Sequence, residues 1–230
     1  MTSRLPAAVL WDMDGTLVDT EPHWMAAETE LVESYGGAWS SEDALQMVGL
    51  GLLDAGRILQ GRGVRMDAAA IVDRLTADVL ASLAREGAPF RPGARELLRS
   101  LREAGVRTAL VTMSLRRMAQ SVVDFIDFDA FDLIVAGDEV SRPKPYPDPY
   151  LRACELLGLH AADTVAIEDS PNGLRAAVAS GAVSIGVPHM VSLEGVGGHT
   201  LWPTLDGRTP DDIAAVFGAH RPAHAGGGEA

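Results

Sequence analysis

The stretch AAVLWDMDGT occupies residues 7–16 and joins an apolar run to an acidic turn. Its first five residues have the length and composition of a buried strand in a parallel sheet. Asp12 and Asp14 follow directly, and Gly15 marks the turn. Functional side chains of open α/β sheets lie beyond the carboxyl ends of the strands. The stretch therefore predicts both a buried parallel strand and a pair of candidate catalytic carboxylates.

Beyond residue 93, short apolar runs alternate with helical patterns. Such alternation is typical of a parallel sheet with helices on both faces. We therefore predict an α/β fold, a Rossmann-like parallel sheet flanked by helices, with a helical cap inserted after the first strand. The further strands are expected at Val106–Thr112, Leu133–Ala136, Thr164–Ile167 and Ala182–Val187.

Residues 18–90 show apolar side chains at helical spacing and no strand signal. We therefore predict that residues 18–90 form the cap and that residues 1–17 and 91–218 form the catalytic core. Residues 219–230 are rich in Ala, Gly and His and follow the last patterned segment. We expect them to be a disordered tail.

The composition excludes several classes of function. The formal net charge of −13 is opposite to that of nucleic-acid binders, so no nucleic-acid partner is expected. No apolar run approaches a membrane span or a secretory signal, so no membrane association is expected. The single cysteine, Cys154, cannot form an internal disulfide, which fits a cytoplasmic location. Because an acidic protein repels phosphorylated ligands, any phosphate site must carry its own positive charge.

Polar residues follow the predicted strands at the edge where functional sites form. They are Asp12, Asp14, Thr112, Lys144, Glu168 and Asp169. Carboxylates about 4 Å apart repel by about 4 kcal/mol per pair at an effective dielectric near 20. A hard divalent cation relieves that repulsion, and Mg²⁺ suits a site with few carboxylates, water and a phosphate oxygen. The pattern therefore predicts a Mg²⁺ site, with Lys144 and the backbone N–H groups around Met13 and Met113 adding positive potential.

Four segments resemble the four motifs of the haloacid-dehalogenase-like superfamily, in the order and strand contexts of that family. They are DMDGT at residues 12–16, LVT at residues 110–112, Lys144, and IEDSPNG at residues 167–173. The helical insert resembles the small cap of the β-phosphoglucomutase-like branch. The segment DTEP at residues 19–22 is typical of the sugar-phosphate phosphatases of that branch.

This resemblance implies a phosphatase mechanism. In it, Asp12 attacks phosphorus and becomes an aspartyl-phosphate, while Asp14 protonates the leaving oxygen and then takes a proton from water. Thr112 and Lys144 hold the phosphoryl oxygens. Glu168 binds the metal directly or through water. The implied Mg²⁺ ligands are the Asp12 carboxylate, the Asp14 carbonyl oxygen, Asp169 and Glu168.

Two other functions use similar residues. A phosphosugar mutase of the same branch returns the phosphate to sugar. Those mutases usually carry a His where Trp24 stands, and a Lys and an Arg where Val48 and Leu52 stand. These departures favour hydrolysis. A non-catalytic receiver domain also stores phosphate on an aspartate, but it has no helical cap and no use for a second acid such as Asp14.

The cap is expected to select the substrate. A helical cap that closes over the site excludes macromolecules, so we expect a small phosphorylated metabolite such as a sugar phosphate. Glu21 and His23 are predicted to bond sugar hydroxyls, and Trp24 is predicted to pack on a sugar ring. Ordinary packing between cap and core explains Trp24 equally well. A monomer is the default expectation.

Overall fold

The computed structural model describes residues 4–220. Their central feature is one six-stranded parallel sheet. Its strands are β1 (Ala8–Trp11), β2 (Arg107–Val111), β3 (Leu133–Val135), β4 (Thr164–Glu168), β5 (Val183–Gly186) and β6 (His199–Leu201). The spatial order is β3-β2-β1-β4-β5-β6, and every neighbouring pair is parallel. The predicted α/β class with a Rossmann-like sheet is confirmed.

The described part of the chain has nine α-helices, and all of them follow β1. They are α1 (Glu21–Ser34), α2 (Ser41–Leu45), α3 (Leu52–Gly61), α4 (Ala68–Glu86), α5 (Ala94–Glu103), α6 (Arg116–Val123), α7 (Asp148–Leu157), α8 (Pro171–Ser180) and α9 (Pro210–His220). The last helix includes residues 219 and 220, whereas the sequence predicts that the tail begins at residue 219. The rest of the expected tail lies outside the described residues. Among these helices, none is long and apolar enough to cross a membrane.

The central strand β1 is buried on both faces, as its apolar run predicts. All four of its residues are fully buried. Val9 and Trp11 pack in the larger core cluster, with α5, α6 and α9. Ala8 and Leu10 face the opposite way, into a smaller cluster with α7 and α8. Because side chains alternate along a strand, one short apolar run serves both layers of helices.

The sixth strand was missed by the sequence analysis. It pairs only with β5 and forms an edge of the sheet. Its sequence is His-Thr-Leu, in which the first two residues are partly exposed and the third is exposed. An edge strand needs no continuous apolar run, because one side of it meets no other strand. The sequence therefore carried no signal that separates it from the Gly-rich loop before it.

The four helices α1–α4 form one insertion between β1 and α5. The segments that enter and leave this insertion run next to each other and are joined by an isolated antiparallel bridge between Val18 and Phe90. The amide of Asp19 donates to the Pro89 carbonyl at 2.7 Å, and the Arg91 amide donates to the Leu17 carbonyl at 3.0 Å. This pairing coincides with the predicted cap boundaries, and we retain residues 18–90 as the proposed cap.

The register of the central strands aligns the candidate site residues. Trp11 is level with Leu110 of β2 and with Ile167 of β4. Asp12 directly follows Trp11, and Glu168 directly follows Ile167. These two acidic residues therefore lie at the same edge of the sheet. Thr112 lies one residue beyond β2 at that edge. Three distant parts of the chain thus supply adjacent polar groups.

Candidate active site

Lys144 joins the carboxylates of two strands. Its Nζ donates to Asp12 Oδ1 at 2.6 Å, to Glu168 Oε1 at 2.6 Å and to the Val111 carbonyl at 2.9 Å. The lysine and both carboxylates are buried. An ammonium has three N–H groups, so these acceptors use all of them. Lys144 is thereby held at the nucleophile predicted from the sequence.

The buried acids of this cluster are short of positive charge. Burial and repulsion from Glu168 raise the pKa of Asp12 to about 7, although Lys144 opposes the shift. Burial and repulsion from Asp12 and Glu168 raise the pKa of Asp169 well above its ordinary value. Burial alone would lower the pKa of Lys144, but the two ion pairs outweigh it and raise that pKa. One lysine does not balance three buried carboxyl groups.

A divalent cation would balance the excess negative charge of these carboxyl groups. Oxygen atoms of Asp12, Glu168 and Asp169 lie within 4.8 Å of one another. The Oδ2 atoms of Asp12 and Asp169 are buried and have no hydrogen-bond partner among the described residues. Buried carboxylate oxygens without a donor are costly unless a cation binds them. The donor set is all oxygen, which suits Mg²⁺.

Gly15 makes room for the carboxylate of Asp169. A Cβ at this position would lie 2.0 Å from Oδ2 of Asp169. Its φ of 83° is also in the left-handed region, which side chains rarely adopt. The glycine of the first motif therefore permits Asp169 to approach the turn that follows β1.

Glu168 is oriented by a residue that the sequence analysis missed. The hydroxyl of Tyr150 donates to Glu168 Oε1 at 2.5 Å, and both residues are fully buried. Ser170 Oγ lies 3.4 Å from the other oxygen. Tyr150 lies on α7 and belongs to the smaller core cluster. A buried tyrosine hydroxyl needs a partner, but the sequence did not show that the partner is Glu168.

Asp14 accepts hydrogen bonds from both the cap entrance and the core. Thr20 Oγ1 and Trp24 Nε1 donate to its Oδ1 at 2.5 and 3.2 Å. Ser114 Oγ and Thr112 Oγ1 donate to its Oδ2 at 2.7 and 3.3 Å. The predicted acid/base is therefore oriented by four donors. Thr112 contacts Asp14, and Ser114, which was not among the predicted site residues, binds it more closely.

A cavity between cap and core contains most of the predicted residues. Its core side includes Asp12, Asp14, Thr112, Met113, Ser114, Lys144, Asp169 and Ser170. Its cap side includes Glu21, Trp24, Glu28, Met47, Gly49, Leu50, Leu52 and Ala55. The cavity thus places the candidate nucleophile and acid/base opposite the residues of the proposed cap.

Two predicted residues, His23 and Met13, lie outside the described lining of the cavity, and a third, Met113, is part of it. His23 is absent from the described lining of the cavity, and its Nδ1 lies 2.8 Å from Ser82 Oγ on α4, so its placement does not support a role in substrate binding. Met13 has a fully buried side chain, and its carbonyl accepts from the turn at residues 16–18. Met113 lines the cavity, and its Sδ accepts from the Lys144 amide at 3.3 Å.

The fold and this site define a hydrolase of the haloacid-dehalogenase type. Residues 6–181 match the family described as haloacid dehalogenase-like hydrolase. The match covers the sheet through β4, the cap helices and all the carboxylates of the site. The chain belongs to this family.

Characterised relatives are similar over most of their length. Hexitol phosphatase B of Escherichia coli K12 is 33% identical over 194 residues, covering 81% of this chain and 86% of the relative. A phosphorylated carbohydrates phosphatase of Thermotoga maritima is 32% identical over 197 residues, covering 80% and 87%. The crystal structure of CbbY from Rhodobacter sphaeroides in complex with phosphate is 29% identical, with a TM-score of 0.77 over 88% of this chain and 96% of that one.

Proposed function

We propose that this protein is a magnesium-dependent phosphatase that hydrolyses a sugar phosphate through an aspartyl-phosphate on Asp12. Its class is phosphoric monoester hydrolase, which the family and the phosphatases among its relatives define. One observation carries the finer proposal. Asp12 has one oxygen held by Lys144 and a second, buried oxygen beside Asp169 that has no hydrogen-bond partner within residues 4–220.

The substrate proposal rests on relatives and on the cap. The relatives named above include phosphatases of hexitols and of phosphorylated carbohydrates. The cap side of the cavity carries carboxyl and aromatic groups, which suit hydroxyl-bearing ligands. We therefore propose a small phosphorylated sugar or sugar alcohol as substrate.

We also propose a cytoplasmic monomer as the working form of the enzyme.

In the first step, a carboxylate oxygen of Asp12 bonds to phosphorus as the bond from phosphorus to the leaving oxygen breaks. Asp14 gives its proton to that oxygen, so the leaving group departs as a neutral alcohol. The positive charge of Lys144 and the backbone N–H groups after β1 and β2 stabilise the phosphoryl oxygens.

In the second step, Asp14 takes a proton from water as the water oxygen attacks phosphorus. The bond from phosphorus to Asp12 breaks, phosphate leaves, and both aspartates return to their starting protonation states. Asp12, Asp169, Glu168 and the Asp14 carbonyl oxygen are the groups that would hold Mg²⁺. When bound, the cation neutralises charge on the carboxylates and the phosphoryl group.

Turnover of p-nitrophenyl phosphate with Mg²⁺ tests the proposal. Asp12→Asn is expected to lower kcat by at least 10³-fold, because it removes the nucleophile. Asp211→Asn makes the same change at an exposed site in the first turn of α9 and serves as the matched control. Asp14→Asn should accumulate an alkali-labile phosphoenzyme, because the group that activates water is lost. Label transferred to the protein from a substrate with a radioactive phosphorus atom would detect it. Full activity of Asp12→Asn contradicts the mechanism.

The same preparation separates hydrolysis from the two alternatives. A hydrolase releases free phosphate from a sugar phosphate without any bisphosphate activator. A mutase gives an isomerised phosphosugar instead. A receiver gives a stable phosphoprotein with no turnover. Release of phosphate at the rate of substrate loss is expected.

A further inference from the structure

A second cavity lies beside the active-site cavity, between the proposed cap and the core. Its volume is about 430 Å³. On the cap side it is lined by α3 and α4, and on the core side by the segments that follow β2 and β3. We call it the outer cavity. Its apolar lining includes Leu52, Ala69, Val72, Leu115, Val140 and Pro143.

The outer cavity shares a wall with the active-site cavity. Leu52 and Met113 line both of them. Leu52 belongs to α3 of the proposed cap, and Met113 follows β2 in the core. Both side chains are only partly buried, and each has rotatable bonds that allow other rotamers. The partition between the two cavities therefore consists of movable side chains and not of backbone.

The active-site cavity alone is small for the proposed substrate. Its volume is about 80 Å³ in this structure, whereas sites for small-molecule ligands usually measure about 300–1,000 Å³. The outer cavity is within that range. The lining of the active-site cavity already includes Asp12, Asp14 and Lys144, which act on the phosphoryl group in the proposed mechanism. A large leaving group therefore finds its space in this conformation by extending past Leu52 into the outer cavity.

The charged groups around the outer cavity are already paired. Each charged residue of the described lining has a partner, in the pairs Arg57–Asp54 at 2.6 Å, Asp73–Arg117 at 2.7 Å, and the Asp138 carboxylate with the Arg116 amide at 3.0 Å. A charged ligand would have to break one of these pairs or remain unpaired against apolar walls, which is costly. The cavity therefore favours an uncharged apolar group.

We propose that the outer cavity is the distal part of the substrate site and binds an uncharged apolar ring carried by the leaving group. This inference rests on the proposed phosphatase function and deepens it, because the substrate becomes a phosphorylated sugar with an apolar substituent, such as an aryl glycoside phosphate. The phosphate binds at Asp12, and the ring passes between Leu52 and Met113 to the walls formed by Val72 and Leu115. Burial of one phenyl ring strengthens binding about tenfold.

Three phosphorylated glucosides form a matched set of substrates: methyl β-glucoside 6-phosphate, phenyl β-glucoside 6-phosphate and cellobiose 6′-phosphate. They carry the same phosphate ester and differ in the group at the anomeric carbon, so a difference in kcat/KM for phosphate release reports binding of that group. In the wild type, kcat/KM for the phenyl glucoside should exceed that for the methyl glucoside about tenfold. Cellobiose phosphate carries a second sugar in place of the apolar ring and should gain less than about threefold.

Ala69→Phe fills the outer cavity. Ala69 is exposed on α4 and lines the outer cavity, but it is absent from the described lining of the active-site cavity. The ratio of kcat/KM between the phenyl and methyl glucosides should therefore fall about fivefold or more. Ala70→Phe makes the same change at the neighbouring exposed alanine, outside the described lining of both cavities, and should leave the ratio unchanged. Melting temperatures check that both variants fold, and Ala69→Leu replaces a variant that does not.

Three results overturn the inference: equal kcat/KM for the phenyl and methyl glucosides in the wild type, a preference for the phenyl glucoside that Ala69→Phe retains, or a gain for cellobiose phosphate that equals the gain for the phenyl glucoside. A wild type that hydrolyses p-nitrophenyl phosphate but none of the glucosides also overturns it. A wild type that releases phosphate from none of these compounds removes the proposed phosphatase function, and the inference with it.

Discussion

The indole Nε1 of Trp24 lies 3.2 Å from Oδ1 of Asp14, so a residue of the proposed cap orients the candidate acid/base of the core. Trp24 is on the first helix of the cap, and Asp14 follows the first strand of the sheet. The sequence predicts that Trp24 packs on a sugar ring, and ordinary packing between cap and core explains it equally well. The contact also links the position of the cap to the group that protonates the leaving oxygen in the proposed mechanism.

Trp24→Phe keeps an aromatic ring but removes this donor. We expect kcat for a sugar phosphate to fall about fivefold, which corresponds to the loss of one hydrogen bond of about 1 kcal/mol. The loss should be smaller for p-nitrophenyl phosphate, whose leaving group needs little protonation. Trp202→Phe, at a buried tryptophan of the core, is the control. Equal losses for both substrates would assign Trp24 a packing role only.

Tyr150→Phe tests whether the Tyr150 hydroxyl orients Glu168 for metal binding. The variant loses the hydroxyl that donates to Glu168 Oε1 at 2.5 Å. Because groups that orient metal ligands tune metal affinity, the apparent dissociation constant of Mg²⁺ should rise about tenfold. Activity measured across a Mg²⁺ titration checks this. Tyr146→Phe, at an exposed tyrosine, should leave the Mg²⁺ dependence unchanged. An unaltered Mg²⁺ dependence in Tyr150→Phe contradicts the prediction.

Mg²⁺ binding should weaken in acid. The pKa of Asp12 is raised to about 7 and that of Asp169 is raised well above its usual range, so protons compete with the cation below neutrality. For one proton released at a pKa of about 7, the apparent dissociation constant rises about tenfold from pH 8 to pH 6. Thermal-shift titrations with Mg²⁺ at both pH values measure this apparent dissociation constant. Asp12→Asn should flatten this dependence, and equal affinities at both pH values in the wild type would refute it.

Glu28→Gln should stabilise the protein at alkaline pH. Burial raises the pKa of Glu28 to about 7 from its ordinary 4.5, although the Trp39 N–H opposes the shift. Between those values the unfolded chain binds fewer protons than the folded one, so the contribution of Glu28 to stability falls as pH rises from 4.5 to about 7. Glutamine does not titrate. At pH 8 the free energy of unfolding should therefore be higher in the variant, on the order of 1–3 kcal/mol.

Urea unfolding at pH 4.5 and pH 8 measures the free energy of unfolding of the wild type and of Glu28→Gln. The difference between the two proteins should be small at pH 4.5, where the glutamate is neutral in the folded state. Glu33→Gln, at an exposed position of α1, should show no such pH-dependent gain. A Glu28→Gln variant that is less stable at pH 8 than the wild type would refute the assigned environment of Glu28.

The convergence of Asp12, Lys144 and Asp169 was predictable because parallel strands end at one edge of the sheet. Apolar runs identified the interior strands, and the polar residues after them identified the edge. The same reasoning did not find β6, whose residues are partly exposed and lack an apolar run. It also placed His23 at the substrate, whereas helix α1 directs that ring toward α4.

The sequence by itself determined the fold class, the candidate nucleophile and acid/base, and the need for a cation. These follow from local patterns, namely apolar runs, the turns after them and the density of carboxylates. Tertiary structure alone decided which side chains meet across the cap and the core. Trp24 reaches Asp14, Tyr150 reaches Glu168, and Glu28 enters the cavity, because packing between separate elements sets those contacts. Spacing along the chain carries no information about such contacts, since each depends on how two elements dock.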